Sequence, residues 1–110
     1  MRHHYAKLVR DLVPRALEDE GVAYQVRSAT PDEAAGLLLA KLREEVDEFA
    51  AARGRERQIE ELADIYEVLL QIGSRIGVTG DQLEAERAHK EQRRGGFSRG
   101  IVLEWTEDPR

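Results

Sequence analysis

Two long segments of the chain carry apolar residues at the spacing of an amphipathic helix. Within 38–49 the apolar positions recur every three or four residues, so at about 100° per residue they share one side of a helix. The same spacing recurs within 59–72. Because a glycine follows each segment, we expect long helices over roughly 31–53 and 56–76.

Two capping patterns and a short polar segment indicate further helix boundaries. Thr30-Pro31-Asp32-Glu33 combines a threonine cap, a proline at the first helical position and a glutamate at the third, which predicts the start of the first long helix. Thr79-Gly80-Asp81-Gln82 has the same form and predicts a third long helix that ends at Gly95-Gly96. A short helix is expected from a cap at Asp11 through Glu20.

Two segments have the character of β-strands. Val22–Arg27 alternates apolar and polar side chains, and Ile101–Trp105 begins with β-branched residues. We expect these two segments to pair. The predicted fold class is therefore mainly all-α, a single domain over residues 1–110. It is an antiparallel helical bundle completed by oligomerisation, with a minor β-strand pair from the N- and C-terminal segments.

Composition excludes several classes of protein. The chain has no cysteine, which removes disulfides, thiolate zinc sites and cysteine nucleophiles and favours a cytoplasmic location. The longest apolar run, Ala34–Ala40, is far shorter than the roughly 20 residues that cross a membrane. With 17 basic and 22 acidic residues the net charge is −5, which disfavours nucleic acid as a partner. Because charged residues make up 35% of the chain, little apolar material is left for a core, and we expect oligomerisation to complete it.

Acidic residues stand where the helical pattern calls for apolar ones. Glu45 falls inside the apolar stripe of the first long helix and Glu48 lies one turn further on the same side. Glu61 and Asp64 repeat this arrangement on the second, whereas Asp47 faces solvent. Four such carboxylates would repel one another unless a cation neutralises them, and oxygen ligands without cysteine suit Mg²⁺ or Mn²⁺. The alternative is that these acids belong to ordinary charged helix surfaces.

A basic cluster at the end of the third long helix has two interpretations. Lys90, Arg93 and Arg94 lie beside a glycine pair, where they can stabilise the helix dipole or bind phosphate oxygens. Lys41, one turn before Glu45, is either its ion-pair partner or a further phosphate contact. Basic side chains beside a metal site would together bind a nucleotide polyphosphate.

These motifs resemble a known superfamily. The pattern Glu44-Glu45-x-x-Glu48, twelve intervening residues and then Glu61-x-x-Asp64 resembles the signature of the all-α nucleoside triphosphate pyrophosphohydrolases. That superfamily includes MazG proteins, dimeric dUTPases and phosphoribosyl-ATP pyrophosphohydrolases. The opening Tyr5–Pro14 and the closing Lys90–Phe97 look like the small single-domain branch of house-cleaning, noncanonical NTP pyrophosphatases.

The resemblance implies a homodimeric or homotetrameric enzyme. It implies Mg²⁺-dependent hydrolysis of a nucleoside triphosphate to the monophosphate and pyrophosphate. Carried over by motif position, the metal ligands would be Glu45, Glu48, Glu61 and Asp64. The phosphate contacts would be Lys90, Arg93 and Arg94, with Lys41 as a further candidate, and Glu44 would orient the attacking water. Lys7, Arg10 and Asp11 match the opening motif and would close the site or cap the first helix, and Leu12 stands where many relatives have lysine.

Three alternatives remain at the level of sequence. The chain could hydrolyse phosphoribosyl-ATP rather than a noncanonical nucleotide, since no run of residues specifies a base. It could be a carboxylate-bridged di-iron bundle, although neither acid pair continues into the histidine that such sites use. It could also be a non-catalytic helical oligomerisation module.

Overall fold

The computed structural model describes residues 1–109, and within them the chain forms four α-helices. Helix α1 spans Val13–Asp19, α2 spans Pro31–Ala51, α3 spans Arg55–Arg75 and α4 spans Gly80–Arg94. The prediction of one short and three long helices is confirmed. Arg110, the last residue of the predicted domain, lies outside the described residues.

Helices α2 and α3 form an antiparallel hairpin that is the centre of the molecule. A three-residue connection joins them, and the guanidinium of Arg75 at the end of α3 donates to the carbonyl of Pro31 at the start of α2 at 3.2 Å. The apolar core between them is thin, because Val68 is the one large apolar residue that is buried among residues 1–109. Helix α4 packs against α3 and not against α2.

Both capping boxes form as the sequence predicts. The Thr30 hydroxyl accepts from the Glu33 backbone N–H at 3.3 Å, and the Glu33 carboxylate accepts from the Thr30 N–H at 2.9 Å. Thr79 and Gln82 make the equivalent pair of bonds at 3.1 and 2.9 Å. Each box satisfies N–H groups that a helix start otherwise leaves without a partner, so both starts are set by local chemistry.

The start of α1 and two helix ends differ from the prediction. Leu12 rather than Asp11 is the residue before α1, and no side chain caps this helix. Helix α1 ends at Asp19 and α2 ends at Ala51, slightly before the expected limits. The last turn of a helix frays easily, so the sequence specifies such ends only to within one or two residues.

The predicted β-strand pair is wrong. Residues 1–109 contain no strand, and the two candidate segments, Val22–Arg27 and Ile101–Trp105, make no backbone hydrogen bond to each other. Both are exposed, with Val26 at 55% and Trp105 at 72%. A strand is stable only when another strand completes its hydrogen-bond ladder, and α4 does not return the C-terminal segment to the first one.

No helix within residues 1–109 combines the length and the apolar content needed to cross a membrane. Helices α2 and α3 reach 21 residues each, but charged side chains recur along both.

Candidate metal centre

Two buried carboxylates face each other across the α2/α3 hairpin. Glu45 on α2 and Glu61 on α3 are each only 4% exposed, which makes them more buried than Val68. Each stands at an apolar position of its helix, so the packing of α2 against α3 carries both acids inward. A carboxylate in such a place loses its hydration, which costs stability unless other groups replace it.

Protein groups replace that hydration only in part. The Lys41 ammonium lies 3.3 Å from Glu45 Oε1, and the Arg57 guanidinium lies 3.3 Å from Glu61 Oε1. In both cases the base precedes the acid by four residues on the same helix, where side chains are neighbours. The second oxygen of each acid, Oε2, is buried and has no hydrogen-bond partner. Two orphaned carboxylate oxygens therefore lie in the hairpin interior.

Further acids flank this buried pair. Carboxylate oxygens of Glu45, Glu61 and Asp64 lie within 4.8 Å of one another, and so do those of Glu44, Glu45 and Glu48. Asp64 is half-buried, in keeping with its place at the edge of the apolar stripe of α3, whereas Glu48, which was predicted to face inward with Glu45, is exposed. Glu45 belongs to both groups, so the structure brings together the four acids that the sequence predicts as metal ligands. These four residues, called the acidic cluster below, are Glu45, Glu48, Glu61 and Asp64.

Lost hydration and neighbouring charges shift the pKa values of Glu48 and Glu44 in opposite directions. The pKa of Glu48 rises to about 7, because its carboxyl loses hydration and faces the carboxylates of Glu45 and Glu61. Partial burial also favours the neutral form of Glu44, but Lys7 and Lys41 outweigh this effect and lower the pKa of Glu44. Glu44 is therefore ionised at neutral pH, whereas the carboxyl group of Glu48 is only partly ionised there.

The donor set fits a divalent metal ion. The cluster offers carboxylate oxygens alone, which hard cations prefer, and two of these oxygens are buried without any other partner. Within each group of three acids the oxygens lie within 4.8 Å of one another, which is comparable to twice the roughly 2.1 Å distance between Mg²⁺ and its ligands. A bound cation would also relieve the repulsion that raises the pKa of Glu48.

The N-terminal residues reach the same place from a distant part of the chain. Lys7 lies 3.3 Å from Glu44 and Arg10 lies 2.5 Å from Asp64. The resemblance placed these two bases at the site without indicating their partners. Arg57 was not predicted, although its spacing of four residues to Glu61 is the same signal that pointed from Lys41 to Glu45.

The basic end of α4 does not reach the acidic cluster within one chain. Lys90, Arg93 and Arg94 are exposed, and none of them forms an ion pair within the described part of the chain. Their role in phosphate binding stays a prediction, and it requires either a second copy or a movement of α4.

A comparison with protein families identifies the chain. The family model described as phosphoribosyl-ATP pyrophosphohydrolase matches residues 6–91, a range that contains the acidic cluster, Lys7, Arg10 and Lys90. Searches of curated proteins and of solved structures gave no significant match. The family typically depends on a divalent metal ion, which agrees with the donor set of the cluster.

The match covers most of the chain, so the superfamily resemblance is confirmed. The family consists of hydrolases that act on phosphoric anhydride bonds, so the interpretation as a non-catalytic oligomerisation module is set aside. The chain belongs to the phosphoribosyl-ATP pyrophosphohydrolase family of the all-α, MazG-like superfamily, and it is a pyrophosphohydrolase of a nucleotide-like substrate.

Proposed function

We propose that the protein is a Mg²⁺-dependent nucleoside triphosphate pyrophosphohydrolase that removes noncanonical nucleotides. The observation that carries the proposal is the pair of orphaned oxygens on Glu45 and Glu61, beside Asp64 and Glu48. Burying two carboxylates with unsatisfied oxygens lowers the stability of the fold, and a ligand that binds those oxygens would offset this loss. Mn²⁺ is the second candidate ion, since it accepts the same oxygen donors.

The residues around the cluster have separable roles in this reaction. Glu45, Glu48, Glu61 and Asp64 would hold the ion, which when bound supplies charge neutralisation and a lower pKa for water. Glu44, kept ionised by Lys7 and Lys41, can orient the attacking water and accept its proton. Water attacks the α-phosphorus, the bond to the β-phosphate oxygen breaks, and pyrophosphate leaves.

Hydrolysis of phosphoribosyl-ATP is the second candidate function, and the description of the matching family favours it. Both candidates release pyrophosphate, so the substrate distinguishes them. A panel of canonical and noncanonical NTPs and dNTPs with phosphoribosyl-ATP, followed by pyrophosphate detection, separates the two. We expect the highest kcat/KM for a noncanonical triphosphate, and a clear preference for phosphoribosyl-ATP would establish the second candidate instead.

Replacing Glu48 tests the assignment of the metal ligands. Glu48→Gln keeps the shape of the side chain but removes a charge that a hard cation needs, so we expect Mg²⁺-dependent turnover to be abolished. Helix content, measured by circular dichroism, should be unchanged. Asp47→Asn is the matched control, because Asp47 is an exposed neighbour outside both acid groups, and its activity should be near normal. Near-normal turnover of Glu48→Gln contradicts the assignment.

The same variant tests the electrostatic strain of the metal-free cluster. Because the folded chain holds the pKa of Glu48 near 7 and the unfolded chain near 4.5, the folded state binds more protons between these values. Without divalent metal, stability should therefore fall as pH rises from about 4.5 to 7, and this contribution should then level off. Urea unfolding in EDTA at pH 5 and pH 8 should show a larger loss for the wild type than for Glu48→Gln. Equal losses would mean that Glu48 is not strained.

Oligomerisation belongs to the same proposal. The chain exposes 10358 Å², whereas a compact chain of this length exposes about 6,200 Å². Its radius of gyration is 18.9 Å, against about 13 Å for a compact domain. The excess surface, about 4,000 Å², is of the size that obligate oligomers bury. These quantities support a homodimer or homotetramer as the working form.

One helix face supplies an apolar surface for a second copy. Ile59, Leu62, Tyr66 and Leu69 on α3 are between 41% and 60% exposed and recur at intervals of three and four residues. This spacing places them in a single stripe, as at the seam between packed helices. The stripe lies to one side of Val68, which faces α2, so both sides of α3 can be covered at once.

A charge placed in the stripe should prevent assembly. Leu69→Glu should convert the oligomer to monomers in light scattering after gel filtration, because a carboxylate at a helix seam loses its hydration. Gln71→Glu adds the same charge two residues away, on a different side of α3, and should leave the oligomer intact. Identical masses for Leu69→Glu and the wild type would exclude the stripe as the interface.

A further inference from the structure

Residues 5–11 cross the acidic cluster as a strap held at two points. The Lys7 ammonium lies 3.3 Å from Glu44 Oε1 on α2, and the Arg10 guanidinium lies 2.5 Å from Asp64 Oδ1 on α3. These partners are 37 and 54 residues away in sequence and belong to different helices. The N-terminal strap, as this segment is called below, therefore connects both helices of the hairpin where the candidate metal ligands converge.

Charge contacts are the main attachment of the strap to the hairpin. Tyr5 is 75% exposed and Val9 is 42% exposed, and Leu8 is the one residue of the strap that is half-buried. The one backbone hydrogen bond that involves residues 5–11 joins the Arg10 carbonyl to Val13, at the start of α1. Exposed ion pairs such as those of Lys7 and Arg10 contribute little net stability. The strap can thus leave the hairpin at small cost.

One of these contacts uses a carboxylate that the cation also needs. Asp64 belongs to the group with Glu45 and Glu61 that can hold a metal ion, yet its Oδ1 accepts from Arg10 in the metal-free protein. This hydrogen bond from Arg10 to Asp64, together with the negative charges of Asp64, Glu67 and Glu45, raises the pKa of Arg10. A divalent cation in the cluster would repel the guanidinium and compete with it for the same carboxylate. The guanidinium of Arg10 and the cation therefore bind Asp64 one after the other and not together.

We propose that the N-terminal strap exchanges ligands during the reaction cycle. Before the metal enters, Lys7 binds Glu44 and Arg10 binds Asp64. After the metal has entered, both side chains bind the polyphosphate of the substrate instead. Guanidinium groups bind phosphate oxygens through paired hydrogen bonds, and an ammonium acts as a compact point charge. In this arrangement Lys7 and Arg10 are binding residues for the polyphosphate. The inference rests on the proposed function and adds Lys7 and Arg10 as the groups that recognise the substrate's phosphates.

The exchange predicts effects of opposite sign in a single variant. Arg10→Gln removes the competitor for Asp64, so we expect it to bind Mg²⁺ alone several-fold more tightly in calorimetric titration. The same variant loses a phosphate contact, so its affinity for α,β-methylene-ATP at saturating Mg²⁺ should fall about ten- to hundredfold. Lys7→Gln should weaken analogue binding as well, with less effect on Mg²⁺, because its partner Glu44 is not one of the proposed metal ligands. Arg87→Gln is the control, since Arg87 pairs only within α4, and it should change neither affinity.

Tryptic cleavage of the wild type gives a readout independent of variants and of turnover. Cleavage after Lys7 and Arg10 should accelerate with Mg²⁺ alone, because the strap is released, and slow again when the analogue is added with Mg²⁺. Analogue affinity that is unchanged in Arg10→Gln, with tight binding by the wild type, would overturn the exchange and leave the proposed function standing. A wild-type protein that binds neither Mg²⁺ nor the analogue would overturn both.

Discussion

The repulsion between carboxylates buried in the α2/α3 hairpin is the constraint on which the rest of the structure depends. Glu45 and Glu61 occupy positions that would otherwise hold core apolar side chains, and each has only one of its two oxygens paired with a base. The hairpin therefore closes over two carboxylate oxygens that have no hydrogen-bond partner. The proposed cation would stabilise the fold as well as serve the chemistry, since a metal that binds only the folded state shifts the unfolding equilibrium toward the native protein.

The same constraint explains why the single chain has so little core. Acids take interior positions of α2 and α3, and Val68 is the one large buried apolar side chain of residues 1–109. Other apolar residues of α2 and α3 are half-buried, and exposed ones lie on the outer face of α3, on α2 and in the extended segments on either side of the helices. In the proposed oligomer other copies would supply the missing burial, so cation binding and assembly would act as two separate sources of stability.

Local chemistry made most of the fold predictable from the sequence. The capping boxes at Thr30 and Thr79 and the helical spacing of apolar residues depend on neighbours within a few positions, and the structure agrees with them. The strand pair failed because alternation describes the faces of a segment and not which partner lies beside it. Helical spacing placed Glu45 and Glu61 among apolar residues, where the structure buries them, but it also turned Glu48 inward, and Glu48 is exposed. The contacts of Lys7 and Arg10 join residues far apart in the chain, which no local pattern encodes.

The most direct test of the account is to locate a bound cation in the protein. Crystals grown with Mn²⁺, measured at its absorption edge, give an anomalous difference map in which the ion is identified by its own scattering. We expect a peak contacted by Glu45 Oε2 and Glu61 Oε2, with Asp64 and Glu48 as the further oxygen ligands. A map with no peak in the hairpin, and with protein donors bound to both of those oxygens, would contradict it.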